Sequence, residues 1–326
     1  MAETITQSGL FDWSMGVLRQ LEAIRTPILD KLMSLFTVLG QEMAFIVVGL
    51  ILVWCIDKRF GYRFLLMYML GTSVNQVVKA IFMIPRPWAV DPELTIVESA
   101  RDGATGFSFP SGHTQSGVLM YGGVAAKIKK GWAYFVACAL ALLIGFSRMY
   151  LGVHTPLDVI TALVMGVVIL LICMRPNSNF GEKRGPYLIA VGAVLLLSFG
   201  LVLFIKKVCA NAEIPYYSAD EAKQLVSLCL KDAWVLVGTC AGLFLGYAVE
   251  SKFIDYSTEA VWWVQIIKAL LGLAIVVGLR MVLKPLLAHV SDSVAMDGVR
   301  YFLMSFVALG VYPLLFKPLS RLGKKA

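Results

Sequence analysis

Three short polar stretches interrupt an otherwise apolar chain: Lys79 to Pro87 (KAIFMIPRP), Pro110 to His113 (PSGH) and Ser147 to Asp158 (SRMYLGVHTPLD). Together they hold a lysine, two arginines, an aspartate and two of the chain's three histidines. That set suits phosphoryl transfer, which needs positive charge around the non-bridging oxygens, a nucleophile in line and an acid for the leaving oxygen. Lys79, Arg86 and Arg148 supply the charge, arginine as a planar fork of donors and lysine as a point charge. His154 and Asp158 are four residues apart; on a helix beginning near His154 they would share one face. Asp158 could then accept the Nδ1–H of His154 and leave Nε2 to attack phosphorus.

Ser111 reads as a helix N-cap. The unpaired N–H groups behind it form an anion site, and Gly112 lets the backbone come close to an oxygen. His113, beside that site, is positioned to protonate the leaving oxygen and then to activate water. Lys79 and Arg86, seven residues apart, could share a helix face, with Pro85 and Pro87 ending the helix. Taken singly, these residues have plain structural uses: Lys79 as a snorkelling lysine, His113 as a buried hydrogen-bonded histidine, Arg148 as a helix anchor. Those uses do not predict the complete set.

The elements that must position these groups are membrane helices. Of 326 residues 59% are hydrophobic and only 15% charged, and the mean hydropathy is +0.77. A soluble domain carries more charge, and runs near the roughly 20 residues a bilayer requires recur along the chain. The expected fold is all-α: one polytopic transmembrane bundle over 1–326, with a catalytic core at 60–175 and further spans of unassigned role at 187–326. Nine spans are expected, at about 32–55, 64–84, 112–126, 132–149, 155–174, 187–205, 232–249, 261–283 and 298–316. The third is short and glycine-rich (Gly117, Gly122, Gly123), which suits close packing. Residues 8–25 mix Leu, Phe and Trp with Asp12, Arg19, Glu22 and Arg25, and read as an amphipathic helix in the interface. The first residues lack the basic and apolar regions of a cleavable signal.

Lys58, Arg59 and Arg63, then Lys127, Lys129 and Lys130, then Arg175, Lys183 and Arg184 lie in short loops that alternate with the polar stretches. The positive-inside rule puts those loops in the cytoplasm. It puts the three stretches and the N-terminus outside, and the C-terminal RLGKKA inside. The longer loop at 206–231 also carries lysines and votes weakly against this. The net charge of +8 follows from such loops; no basic stripe interleaved with aromatics suggests nucleic acid as a partner.

The three stretches resemble the phosphatidic-acid phosphatase type 2 family, whose pattern runs K-x6-RP, PSGH, SR-x5-H-x3-D. Lys79 through Arg86-Pro87, Pro110-Ser111-Gly112-His113, and Ser147-Arg148 through His154 to Asp158 fill every position. The resemblance implies an integral-membrane phosphatase that needs no metal or other cofactor. It casts His154 as nucleophile, Asp158 as its partner, His113 as acid/base, and Lys79, Arg86, Ser111, Gly112 and Arg148 as the phosphate binders. It covers about residues 60–175. The nine-span layout with an external N-terminus is similar to the glucose-6-phosphatase and sphingosine-phosphate phosphatase branches.

The expected substrate is a lipid phosphate or diphosphate, of phosphatidate, isoprenyl diphosphate or sphingoid phosphate type, met at the outer membrane–water boundary. Residues 88–110, with Trp88, Phe107 and Phe109, would cap the site. A soluble sugar phosphate is the alternative substrate, and a phospholipid binder or transporter the alternative function. Elsewhere, Asn75 and Gln76 read as interhelical hydrogen bonders, Lys268 as a lysine snorkelling to the cytoplasmic face, His289 as structural or solvated, and Trp262 and Trp263 as an aromatic belt. Cys55, Cys138, Cys173 and Cys240 read as ordinary apolar-run residues. Cys209 and Cys229 could pair if their loop is extracytoplasmic.

Overall fold

The computed structural model describes residue 4, residues 6–175 and residues 183–321. Positions 176–182 of the third basic loop and 322–326 of the C-terminal basic run therefore lie outside the described residues. Every regular element described is helical. In chain order these are α1 (Gly9–Ala23), α2 (Pro27–Val38), α3 (Glu42–Ile51), α4 (Lys58–Phe82), the short α5 (Pro87–Val90), α6 (Gly112–Ile128), α7 (Gly131–Tyr150), α8 (Pro156–Cys173), α9 (Arg184–Lys207), α10 (Ala219–Val249), α11 (Trp262–Ala288), α12 (Ala295–Phe306) and α13 (Phe316–Arg321).

Among the described residues, seven helical segments are long and apolar enough to cross a membrane. An eighth is added if Pro27–Val38 and Glu42–Ile56, bent by 41°, form one span. Of the nine expected spans, the one at 112–126 corresponds to α6, whose 17 residues are at the short end of what a span needs. The polar PSGH turn leads into it. The span expected at 32–55 is broken at Leu39–Gln41. Gly40 explains why the break packs: a Cβ there would sit 2.8 Å from the His113 carbonyl oxygen and 2.8 Å from Ile144.

Contacts sort the chain into two compact units that interleave along the sequence: Met1–Phe45, Leu70–Met174 and Leu201–Leu230, then Ile46–Met69, Arg175–Gly200 and Lys231–Ala326. In the first unit α6 packs along both α7 and α8. Small residues let it do so: a Cβ at Gly117 would meet Ile144 at 2.8 Å, and one at Gly166 would meet Val118 at 2.9 Å. The helix starts follow local chemistry. Ser111 caps α6 by accepting from Thr114 N. Thr155 and Asp158 form a reciprocal capping box on α8, with Pro156 in its first turn.

Helix α1 carries apolar residues on both its buried and its exposed sides. Phe11, Ser14 and Leu18 are buried, and Leu10 and Trp13 are exposed. Its polar face grips the segment after α5: Arg19 pairs with Asp91 at 2.6 Å, and Glu22 accepts from Thr95 N at 2.8 Å. Arg25 Nε donates to the Tyr150 carbonyl at 2.8 Å.

The second unit is held by aromatic and ionic contacts. Trp54 Nε1 donates to the Ala308 carbonyl (3.0 Å) and meets Tyr312 edge-on at 5.0 Å. Tyr62, Tyr187 and Tyr247 form a ring cluster. Lys58 bonds Glu250 at 2.9 Å and Asp255 at 2.8 Å. Lys268 corrects an expectation. It does not snorkel: it is 0% exposed, bonded to Gln265 Oε1 at 3.1 Å and 4.5 Å from the centre of the Phe316 ring. Its face of α11 is packed against protein, and a ring and an amide contact its ammonium. His289 and Trp262 are exposed, at the end and the start of α11.

Candidate active site

All eight nominated residues lie in the first unit. Asp158 is the third residue of the α8 capping box, and its Oδ2 accepts from Thr155 N (2.7 Å) and from Ser108 Oγ (2.6 Å). The same oxygen lies 3.3 Å from His154 Nδ1. His154 stands in the turn before α8, two residues ahead of Pro156. The His–Asp contact is thus made by a cap that folds back on the turn, and not across one face of a helix.

Arg86 Nη1 lies 3.1 Å from His154 Nε2. A guanidinium can only donate, so Nε2 accepts and the proton sits on Nδ1, facing Asp158. His154 is 2% exposed. Burial, reinforced by the nearby charges of Arg86, Arg148 and Lys79, holds its imidazole well below the usual histidine range. The ring is therefore neutral, with its lone pair aimed at a cation.

Lys79 occupies the last turn of α4. Arg86 is not on that helix: α4 ends at Phe82, and Arg86 has extended backbone as the residue before α5. Chain reversal, not helical spacing, brings the two together. Lys79 Nζ donates to the carbonyls of Phe107 (2.6 Å) and Ser108 (3.2 Å). Arg86 donates to those of Gly106 (3.0 Å), Thr105 (2.5 Å) and Val153 (3.0 Å). Arg148 donates to Thr37 Oγ1 (2.9 Å) and the Gly103 carbonyl (3.3 Å), and its buried Nε has no partner.

The segment from Gly103 to Ser108 thus turns a row of carbonyl oxygens toward the cations. His113 begins the second position of α6, and its buried Nε2 has no partner. A Cβ on Gly103 would lie 3.7 Å from that atom. Ser111 is fully buried, and its N–H donates to the Asp158 carbonyl at 3.1 Å. At Gly112 a Cβ would meet only Asn75 Oδ1, at 3.9 Å, so the backbone is open there. Asn75 Nδ2 donates to Gln115 Oε1 at 2.6 Å, linking α4 to α6 as expected.

Sequence reasoning missed several contributors. Thr155 was visible as the start of a Thr-x-x-Asp capping box. Ser108, Thr37 and the covering carbonyls carry no local signal, because each acts across a long sequence separation. Tyr217 Oη, which accepts from Arg86 N at 3.2 Å, lies in a loop that sequence reading left unassigned. Cys209 and Cys229 are both thiols, not a disulfide: Cys209 Sγ donates to the Ala80 carbonyl (3.5 Å), and Cys229 Sγ packs against Gly106.

Two family models match the chain. Residues 60–181 match the PAP2 superfamily, and residues 234–325 match the PAP2 superfamily phosphatase transmembrane extension. Sphingosine-1-phosphate phosphatase 1 of Mus musculus is 27% identical over 270 residues, 78% of this chain and 59% of that protein. Undecaprenyl-diphosphatase of Sulfolobus acidocaldarius is 27% identical over 48% of this chain and 74% of that protein. The chain spans 42% of a probable sphingosine-1-phosphate phosphatase from Dictyostelium discoideum and 57% to 59% of the rodent enzymes it matches. Phosphatidylglycerophosphatase B of Bacillus subtilis is 30% identical over 49% of this chain and 79% of that protein. With every motif position filled and gathered around one buried histidine, the chain belongs to the PAP2 superfamily.

Proposed function

We propose that the protein is a metal-independent membrane phosphatase that hydrolyses a lipid phosphate monoester or diphosphate through a phosphohistidine. The observation that carries this reading is His154, a neutral imidazole whose Nε2 points at Arg86 while Nδ1 faces Asp158. A phosphoryl group drawn in by Arg86, Lys79 and Arg148 would replace the carbonyls those cations now hold, and its phosphorus would meet the Nε2 lone pair. Nε2 forms a bond to phosphorus as the bond to the leaving oxygen breaks, and His113 protonates that oxygen. Asp158 stabilises the charge that develops on the ring. Water then attacks the phosphohistidine, His113 takes its proton, and phosphate leaves. Ser111 and Gly112 offer the α6 N-terminus to a phosphate oxygen.

Relatives named as sphingosine-1-phosphate phosphatase, undecaprenyl-diphosphatase and phosphatidylglycerophosphatase support a lipid substrate. So does the site's position at the ends of α4, α7 and α8, where a headgroup can react while its chains stay in lipid. The same reading keeps nine spans, with α1 in the interface, the site and N-terminus outside and the C-terminus in the cytoplasm. Lys127, Lys129 and Lys130 lie at the opposite ends of α6 and α7 from the site, which supports that orientation.

The test is phosphate release from lipid phosphates by detergent-purified protein, with His154→Ala as the blank. The expected result is release that survives chelators and disappears in the variant. Activity lost to EDTA and restored by a divalent metal would contradict the mechanism.

A further inference from the structure

Between the two family-matched regions lies a segment that neither model covers and no motif nominates. Residues 209–230 form a cavity of about 610 Å³, within the range of small-ligand sites. Ile214, Ala222, Val226 and Leu230 give it an apolar wall, and Tyr217 closes one side. Three contacts fasten this segment to the phosphate site. Tyr217 Oη accepts from the backbone N–H of Arg86 at 3.2 Å. Cys209 Sγ reaches the carbonyl of Ala80, the neighbour of Lys79, at 3.5 Å. Cys229 packs on Gly106, whose carbonyl accepts from Arg86 Nε. Tyr217, a wall residue of the cavity, therefore also bonds the backbone of Arg86 in the phosphate cradle.

Resting on the phosphatase reading above, we infer that this cavity receives the hydrocarbon chain next to the headgroup of the lipid phosphate, and so sets selectivity for the substrate's apolar part. The chemistry fits a chain and not a second polar ligand. The wall is built of small and aliphatic side chains. Its polar members, such as Lys223, with a side chain 79% exposed, stand in solvent at the rim. A phosphate on Arg86 with its ester carbon turned toward Tyr217 would pass its first methylenes along the tyrosine ring into this space. Each methylene buried there strengthens binding about fourfold. Tyr217 orients the chain through its ring and holds Arg86 through its hydroxyl.

Two readouts on the detergent-purified full chain test this. The first is kinetic. Ala222→Phe and Val226→Trp, which fill the cavity, should raise KM at least tenfold for a long-chain lipid phosphate. They should leave kcat/KM for a short-chain, water-soluble phosphate ester within twofold of wild type. Equal effects on both substrates, or none on either, would overturn the inference. The second readout needs no turnover. A lipid monophosphate carrying a diazirine near its headgroup is photolysed on His154→Ala protein and the adduct is mapped by mass spectrometry. Adducts within 209–230 support the cavity, and adducts confined elsewhere overturn it. Labelling of 209–230 in a protein whose wild type releases no phosphate would sink the phosphatase reading alone. Release by the wild type with labelling elsewhere would sink the cavity alone.

Discussion

Both compact units bury cations, but they satisfy them differently. In the second unit Lys58 meets the carboxylates of Glu250 and Asp255, and Arg300 meets Asp297 at 2.6 Å. Formal charge there answers formal charge, and Lys268 rests on an amide and a ring. In the first unit Lys79, Arg86 and Arg148 reach for backbone carbonyls, a hydroxyl and a neutral imidazole. Among the described residues, buried side-chain nitrogens without a partner occur in both units: Arg25 Nη2, His113 Nε2 and Arg148 Nε in the first, and Arg300 Nε in the second. The buried Asp158 carboxylate interacts with Lys79 and Arg86 and offsets part of their charge, while dipoles meet their hydrogen bonds; under the proposed function a phosphate dianion would take the place of those dipoles. The same residue types therefore meet carboxylates in one unit and mainly dipoles in the other, which is the arrangement the proposed phosphate site requires.

The comparison can be broken most severely at the dipole-held cluster. Asp158→Asn should lower kcat by about 10²–10⁴-fold, the range for a positioned acid–base system, because the His154 tautomer is no longer fixed. A drop of less than tenfold would remove Asp158 from the mechanism. Arg148→Leu should lower kcat/KM by about 10²–10⁴-fold, since two charge-assisted bonds worth about 1.5–3 kcal/mol each are lost. Its thermal unfolding should change little or rise, because a buried cation is removed. A collapse in stability with unchanged kinetics in the folded fraction would place Arg148 with the structural charges.

Thr37 sharpens the contrast, because its hydroxyl is the side-chain partner that aims Arg148. Thr37→Val should raise KM about tenfold with kcat within threefold, and Thr37→Ser should restore KM. A loss in kcat alone would contradict that role. In the second unit the prediction reverses. Glu250→Gln should lower stability by up to about 3 kcal/mol, since it leaves Lys58 short of a buried counter-charge, while kcat/KM of the folded protein stays within twofold. Loss of turnover without loss of stability would erase the distinction between the units.

The smallest effect is in pH. His154 is held below the usual histidine range, so it is neutral above pH 6.5 and gains a proton only at lower pH. The acid limb of kcat/KM, corrected for the substrate's own ionisation, should lie below pH 6.5. Stability should be undiminished above that pH and decline beneath it, as unfolded but not folded protein takes up the proton. An acid limb above pH 7 would contradict the neutral, cation-facing ring.

How much of this was legible in the sequence follows from range. The motif residues, the helical class and the Ser111 cap are local patterns, and a chain can be read locally. The position of His154 ahead of α8, the departure of Arg86 from α4 and the carbonyl row at 103–108 depend on how the loop after α5 returns to the site. Thr37, Ser108 and Tyr217 reach their partners across 50 to 131 positions. Spacing cannot reveal them. Lys268 failed for a related reason: hydropathy marks a lysine in a span but not which face of the span is packed.

The most direct test of the account is to trap the intermediate. Wild-type protein mixed with a ³²P-labelled lipid phosphate, quenched in alkali within one turnover and mapped by mass spectrometry, should carry base-stable, acid-labile label on His154. None should appear in His154→Ala. Label on any other residue, or full turnover by His154→Ala, would contradict it.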